Sequence, residues 1–479
     1  MCGIITEKFT RSGALFSFAL RAAFACVKRM SFSGDTIAAL ATPVGTSAIA
    51  VVRASGPQVA ALVRAIFGAA PPPRLAQHAD YLDYGGVLMD DVLFTFFAGP
   101  NSFTGEDTVE ISCHGNPFIA QKILRDLFAR GCRPAEAGEF TKKAFLNGRM
   151  DLSQAEAVMD LIHARSERAL AAANLQLRGA LGRYMESLIN QMVRILATIE
   201  AYIDFPDEDL PAENRQALQR QLDELLSDTN RLLATNQYGE FLREGIKTVI
   251  LGEPNAGKSS LLNRLLGRDR ALVSAEPGTT RDYLEERVVI GAHWLRLIDT
   301  AGLNATPSAL EKRGIEKTFE QADGADLFLW VIDSTQPLPS LPPAFTARMT
   351  PANTIAVLNK IDLPPAPRGP LPQSFPVVNI SALDGTGLEA LQAAVIKLAE
   401  SFHVETGEEL IAINARHAHA LELAKANLLT AKDKLATNEP TELVASDLRV
   451  ALESFAQVAG KIDNERILDQ LFASFCIGK

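Results

Sequence analysis

The spacing of apolar residues changes character three times along the chain. From about 34 to 147 the apolar runs are short and separated by turn signals. Ser47-Ala-Ile-Ala-Val-Val-Arg53, Val92-Leu-Phe-Thr-Phe-Phe97 and Thr108-Val-Glu-Ile-Ser112 read as strands, while Pro117 to Arg130 reads as a helix ending at Gly131. Pro71-Pro-Pro73 and Gly99-Pro100 mark loops, so this stretch is α+β. Beyond Asp151 the period becomes helical: Leu152, Ala155, Met159 and Ile162 share one face, and Leu188, Met192, Ile195 and Ile199 share another. Long helices are expected over about 148–243, broken at Pro206 to Pro211, with a capping box from Ser153 and Glu156 near their start.

At Ile246 the pattern switches to buried β-runs alternating with helices: Thr248–Leu251, Trp294–Ile298, Leu327–Ile332, Ile355–Leu358 and Val377–Ile380. Such alternation predicts parallel β-α-β units with helices on both faces, the Pro-rich stretches 337–351 and 364–376 being surface loops between runs. From about 403 the pattern is helical again, with Leu448, Leu452, Phe455 and Ala459 on one face. Two helical blocks around one α/β block predict an insertion. The expected division is 30–147, a helical domain of 148–244 with 401–479, and an inserted domain of 245–400, about three domains for 479 residues.

Composition narrows the setting. With 47% hydrophobic and 22% charged residues the chain is neither fibrous nor wholly disordered. Its five cysteines, Cys2, Cys26, Cys113, Cys132 and Cys476, are scattered and never in C-x-x-C, which argues against a disulfide framework or thiolate zinc site and for a reducing, cytoplasmic location. No apolar stretch reaches the roughly 18 residues of a membrane span, Ala14 to Val27 being interrupted by Arg21. The net charge of −10 means that nucleic acid would need a local patch or a basic partner. Residues 1–29, with Lys8, Arg11, Arg21, Lys28 and Arg29 against Glu7, are either a start-codon artefact or extension ahead of Met30, or an organelle-targeting segment, organelle import being the lesser expectation.

Gly252-Glu-Pro-Asn-Ala-Gly257-Lys258-Ser259 follows a predicted strand and opens a helical pattern. In that context glycines let backbone N–H groups wrap phosphates, Lys258 neutralises phosphate oxygens and the Ser259 hydroxyl can ligate Mg²⁺. Asp299-Thr-Ala-Gly302 ends the next strong β-run, where an acid reaches the magnesium shell; Thr280, in Gly278-Thr-Thr-Arg-Asp282, can complete that shell. Asn359-Lys-Ile-Asp362 follows another β-run, and its carboxylate suits the two donors on guanine's N1 and N2 edge; Ser381-Ala382 closes on the base. Together these predict guanine-nucleotide binding. Leu303 stands where Ras-like enzymes place a water-orienting glutamine, so a different orienting group and a different cation are expected. Asn255 is either an oxygen ligand for a monovalent cation at the phosphates or a loop asparagine tolerating unusual backbone angles.

These residues resemble the MnmE (TrmE) family of tRNA-modification GTPases over nearly all of 34–479. The resemblance is carried by Phe103-Thr-Gly-Glu-Asp107, Cys113-His-Gly115, Gly138-Glu-Phe-Thr141, Ala144-Phe-Leu-Asn-Gly148, Asp151-Leu-Ser-Gln-Ala-Glu-Ala157, Asp204-Phe-Pro-Asp207, the nucleotide motifs and the final Cys476-Ile-Gly-Lys479. It implies an N-terminal α+β folate-binding domain that dimerises, a central and C-terminal helical domain, and an inserted Ras-like P-loop GTPase domain. It implies GTP contacts from Asn255, Ala256, Gly257, Lys258, Ser259 and Ser260, from Ser274, Ala275, Glu276, Pro277, Gly278, Thr279 and Thr280, from Asp299, Thr300, Ala301 and Gly302, and from Asn359, Lys360, Asp362, Ser381 and Ala382. It further implies K⁺ held by Asn255, Ser274, Glu276 and Thr279, and water oriented by Glu311 when two G domains meet. A 5,10-methylene- or 5-formyl-tetrahydrofolate is implied at Arg53, Glu110, Arg149 and Lys479, with a chemical role for Cys476 set against a merely structural thiol.

The activity implied is a GTP- and K⁺-dependent step that installs a carboxymethylaminomethyl or aminomethyl group on the wobble uridine of certain tRNAs. An FAD-using partner of the MnmG (GidA) type would act with a homodimer of this chain in a heterotetramer, supplying the basic surface that an acidic chain lacks. The alternative is a regulatory GTPase of ribosome assembly, whose members lack the N-terminal domain, or a one-carbon carrier in which hydrolysis is vestigial. His114 is read as a turn residue, or else part of the folate site, and His417 with His419, two apart on a helix, as no metal pair.

Overall fold

The computed structural model describes residues 34–69, 72–204, 215–269, 285–299, 324–341, 343–367, 369–371, 374–402, 411–460, 471–473 and 475–478. The chain divides into two compact units, residues 1–155 with 463–479, and residues 156–462. The C-terminal residues, expected with the helical block, thus group with the N-terminal unit.

The first unit is built on a six-stranded sheet of order β3-β4-β5-β2-β1-β6, comprising β1 (Ile37–Leu40), β2 (Ile49–Ser55), β3 (Ala76–Leu82), β4 (Leu88–Phe97), β5 (Thr108–His114) and the short β6 (Arg133–Pro134). All neighbours are antiparallel except β1 and β6. Period-two alternation sends Ala50, Val52 and Ala54 to one face with Val92, Phe94, Phe96, Val109 and Ile111. There they meet Val59, Leu62 and Val63 of α1 (Val59–Phe67) and Ile123 and Leu127 of α2 (Pro117–Ala129). The opposite face carries Ile37 and Ala39, covered by Phe140 of α3 (Glu139–Leu146), with Arg53 and Glu110 in register beside them.

The second unit contains the helices α4 (Leu152–His163, which starts at the boundary), α5 (Glu167–Leu177), α6 (Ala180–Asp204), α7 (Arg215–Leu233), α8 (Asn236–Glu244), α12 (Ala415–Ala436) and α13 (Thr441–Val458). Their core joins Leu188, Met192, Ile195 and Ile199 of α6 with Leu222 and Leu225 of α7, Leu421 and Leu428 of α12, and Leu448 and Phe455 of α13. Residues from both sides of the α/β segment therefore share one core. Helix α4 starts on a capping box, but not the expected one: Asp151 Oδ1 accepts from Gln154 N at 2.8 Å and Gln154 Oε1 accepts from Asp151 N at 2.9 Å. Asp151 wins because it stands outside the first turn, whereas Ser153 lies inside the helix and donates to Asp151.

Glu156, left over from that box, is buried and holds the start of α12. Arg416 grips it through Nε at 2.7 Å and Nη2 at 3.0 Å, and His417 Nε2 lies 2.7 Å away. Asn414 N donates to His417 Nδ1, so a neutral ring carries its proton on Nε2, facing Glu156. Burial alone would raise the Glu156 pKa, but His417 and Arg416 outweigh it and hold the carboxyl below the usual range. Burial lowers His417 in spite of Glu156. His419 is exposed, and among the described residues no group of acids, histidines and cysteines is arranged to hold a metal.

The inserted α/β part has the strand order β12-β11-β10-β7-β9-β8. Strands β7 (Ile246–Leu251), β9 (His293–Asp299), β10 (Leu327–Asp333), β11 (Thr354–Asn359) and β12 (Val377–Asn379) run parallel. These are the five runs expected to form parallel units; β8 (Glu285–Ile290), which the sequence pattern did not announce, adds an antiparallel hairpin with β9 about Gly291-Ala292. One sheet face packs on α9 (Lys258–Asp269) and α11 (Leu388–Ser401). On the other, the Pro-rich stretches are not mere surface loops. Phe345, from the short helix α10 (Pro343–Thr346), and Met349 and Phe375 are buried against Val249, Phe328 and Trp330, because apolar strand residues there require a cover. Among the described residues no helix is long and apolar enough to cross a membrane.

Candidate functional site

Strand β7 delivers the Gly252–Gly257 loop onto the first turn of α9, so that exposed Ser259 and Ser260 stand where helix N–H groups have no intrahelical partner. Two close approaches explain the glycines. A Cβ at Gly252 would lie 2.4 Å from Val331 O, and one at Gly257, whose φ is +98°, would lie 2.0 Å from Asn359 Nδ2. Asn255 is exposed and has φ +65°, which fits the reading of a loop asparagine that tolerates unusual backbone angles. Lys258 is buried, its Nζ donating to Gly252 O and Glu253 O at 2.9 Å each, which holds a positive charge inside the loop.

The loops that follow β11 and β12 are tied to the Gly252–Gly257 loop by one side chain. Asn359, 2% exposed at the end of β11, donates from Nδ2 to Ala256 O at 2.8 Å and accepts at Oδ1 from Ala382 N at 2.9 Å. The residue read from sequence alongside Asp362 is thus a strut between three loops, while Asp362 itself is exposed with its carboxylate open to a ligand. Lys360, at φ +64°, turns back to Asp333 Oδ2 at 2.6 Å, and Asp333 Oδ1 accepts from the N–H and hydroxyl of Thr335. Burial would raise Asp333, but the hydrogen bonds from Lys360 and Thr335 prevail and lower it. Sequence reading missed Asp333. Its signal is an acid at the carboxyl end of a buried parallel strand, the edge at which open α/β sheets bind ligands. Ser381 is buried, its N–H donating to Thr386 O, and Arg264 of α9 donates to the carbonyls of Ala382 and Leu383.

Asp299 ends β9 in register with Ile250, at the same sheet edge as the phosphate loop. Ser274, Ala275, Glu276, Pro277, Gly278, Thr279, Thr280, Thr300, Ala301, Gly302, Glu311 and Lys479 lie outside the described residues.

In the first unit the structure brings together Arg53, Glu110 and the C-terminal segment. Arg53 donates from Nε and Nη2 to Glu110 Oε1 at 2.9 and 2.6 Å and from Nη1 to Gly478 O at 3.0 Å, with its guanidinium 5.7 Å from the Phe140 ring centre. Arg149 is exposed beyond α3, its stem beside Gly105, where an added Cβ would lie 3.3 Å from Arg149 Cγ. Cys476 is an exposed thiol. Cys113 and Cys132 are buried instead, and burial pushes both up to about 11, which leaves them inert thiols. His114 pairs with Asp90 at 2.8 Å, and a Cβ at Gly115 would lie 2.2 Å from Ser47 O, in keeping with a turn.

This architecture can be set beside known proteins. Residues 36–149 match the family model described as the GTP-binding protein TrmE N-terminus, and residues 152–476 match the MnmE helical domain. A protein of Opitutus terrae named tRNA modification GTPase MnmE is 57% identical over 447 residues, covering 93% of this chain and 99% of its own length. The protein of that name in Akkermansia muciniphila is 44% identical over 449 residues, covering 93% and 99%. With the phosphate loop, the Asn359 strut and the open Asp362 carboxylate in place, the chain belongs to the MnmE (TrmE) family of tRNA-modification GTPases.

Proposed function

We propose that this chain is a potassium-activated GTP hydrolase that acts in the cytoplasm with a flavoprotein partner to install a carboxymethylaminomethyl or aminomethyl group at C5 of the wobble uridine of certain tRNAs. The carbon would come from a tetrahydrofolate. The observation that carries the reading is the presence on one chain of a built nucleotide cradle, braced by Asn359, and of a separate polar cluster of Arg53, Glu110 and the C-terminal residues.

Residues of suitable chemistry among those described support the reading. The exposed Ser259 hydroxyl at the helix start suits Mg²⁺, and the amide oxygen of exposed Asn255 suits a monovalent cation that takes oxygen ligands. Buried Lys258 supplies fixed positive charge for phosphate oxygens, and Asp362 accepts from the two donors of a guanine edge. When bound, the cation would spread positive charge over the transferring phosphoryl group, the role an arginine finger fills elsewhere. Glu311 from each of two paired G domains would orient water, so a homodimer is part of the reading. In the first unit, the Arg53–Glu110 pair offers charge and hydrogen bonds to a pterin or its amide, with Arg149 and Lys479 adding positive charge. A net charge of −10 favours a basic partner that holds most of the tRNA.

GTP turnover measured in KCl against NaCl at matched ionic strength tests the nucleotide half of the reading. Strong stimulation by K⁺ that disappears in Asn255→Ala is expected. Equal rates in the two salts would remove the cation from the phosphate loop and point to a protein-supplied finger.

A further inference from the structure

The last described residues are held on both sides of a short exposed stretch. Phe472 and Phe475 are buried, with ring centres 5.2 Å apart, and anchor one side. Gly138 receives them closely: at φ +65°, a Cβ there would lie 2.8 Å from both Phe472 O and Phe475 Cβ. Its own N–H donates to Cys476 O at 3.3 Å, and Ala137 forms an antiparallel bridge with Ile477. On the other side Gly478, at φ +98°, lies against β1, where a Cβ would be 2.3 Å from Leu40 O. Its carbonyl takes the Nη1 hydrogen bond of Arg53. Between these anchors Cys476 and Ile477 are exposed, Ile477 at 63%.

Arg53 is well suited to hold such a peptide. Glu110 engages Nε and Nη2 together, which fixes the plane of the guanidinium, and Phe140 lies beneath it. The third nitrogen is thereby aimed at one point, the Gly478 carbonyl, with a charge-assisted hydrogen bond stronger than a neutral one. A backbone carbonyl as acceptor makes the grip independent of any side chain on the peptide, and the glycine at that point is what allows the approach.

We infer that Arg53 is a positioning residue for the C-terminal segment: oriented by Glu110, it latches the Gly478 carbonyl and so presents Cys476 and Ile477 at a fixed place on the N-terminal unit for the modification reaction. This deepens the reading of the N-terminal cluster proposed above, because it gives Arg53 a task on the chain itself beside any contact with a bound folate.

The test uses the full chain and three readouts in Arg53→Ala and Gly478→Ala. The second variant leaves the Arg53–Glu110 pair intact and disturbs only the far side of the latch, so the idea does not depend on the folding of the first. Hydrogen exchange of the 471–479 peptide and of the Gly138 amide is expected to quicken roughly tenfold or more in both variants. Wobble-uridine modification, measured by nucleoside chromatography of tRNA, should fall in both, while GTP turnover in Gly478→Ala stays at the wild-type level. Unchanged exchange in Arg53→Ala would overturn the latch. A released segment with full modification in Gly478→Ala would overturn its use. Binding of 5-formyltetrahydrofolate to the wild-type chain is measured separately: no binding alongside the expected variant effects would sink the folate assignment and leave the latch standing.

Discussion

Replacing Asn359 by alanine removes a buried side chain that braces three loops of the nucleotide site, and the site should fail. Two buried backbone groups lose their partner at once, the Ala256 carbonyl and the Ala382 N–H, held at 2.8 and 2.9 Å. Each such orphan costs about 1–3 kcal/mol. Relaxation of the loops and entry of water recover part of this, so about 3 kcal/mol is expected to reach the bound state, roughly a 100-fold loss of GTP affinity. The assay is equilibrium binding of a fluorescent guanine nucleotide, with a thermal melt alongside to show that the second unit remains folded. Asn359→Asp sharpens the test. Its carboxylate still accepts from Ala382 N–H but faces the Ala256 carbonyl with like partial charge, so it should bind no better than the alanine variant. Affinity within about threefold of wild type in Asn359→Ala, a change worth under 1 kcal/mol, would refute the strut.

Two further outcomes follow from the same side-chain chemistry. Asp362→Asn replaces an acceptor with an amide that can donate, so preference should shift from guanine to xanthine nucleotides, whose C2 position carries an acceptor; competition binding of GTP and XTP reads this, and retained preference for GTP would remove Asp362 from the base. Glu156→Gln leaves the Arg416 guanidinium without its buried counter-charge and should cost about 3 kcal/mol in the melt of the second unit. Its pH dependence has a definite sign. The lowered Glu156 contributes stability above the ordinary carboxylate range that is lost as pH falls below it, and the lowered His417 loses stability as pH falls through the ordinary imidazole range near 6.5. Glu156→Gln should abolish the first of these losses and keep the second, and an unchanged acid limb would refute the assignment.

How much of this was legible beforehand depends on the range of the forces involved. Local periodicity located β2, β4 and β5 of the first sheet, the five parallel strands of the second and the helical faces, but not β1, β3 or β6, because alternation and the 3.6-residue repeat report burial only where the run is long enough to show it. It misplaced the cap of α4 by two residues, since Asp151 and Ser153 are both competent and only the helix start decides between them. It passed over β8, whose Glu-Glu-Arg start carries no apolar signal and whose pairing is settled by β9. The Pro-rich stretches read as loops because their apolar residues, Phe345, Met349 and Phe375, are isolated in sequence and meet only against the sheet.

The chain's order of motifs by itself led to the expectation of a guanine-nucleotide site after β7 and to the MnmE (TrmE) family. Phosphate wrapping and base reading use short contiguous loops whose residue types and spacing are set by the ligand's own geometry. What only the tertiary structure decided are the long-range links: Asn359 reaching across to Ala256, Lys360 turning to Asp333, and Arg53 meeting Gly478 from the far end of the sequence. Such contacts join residues with no local pattern in common. Their partners are chosen by which backbone groups the packed sheet leaves unsatisfied, and that is known only once the sheet exists.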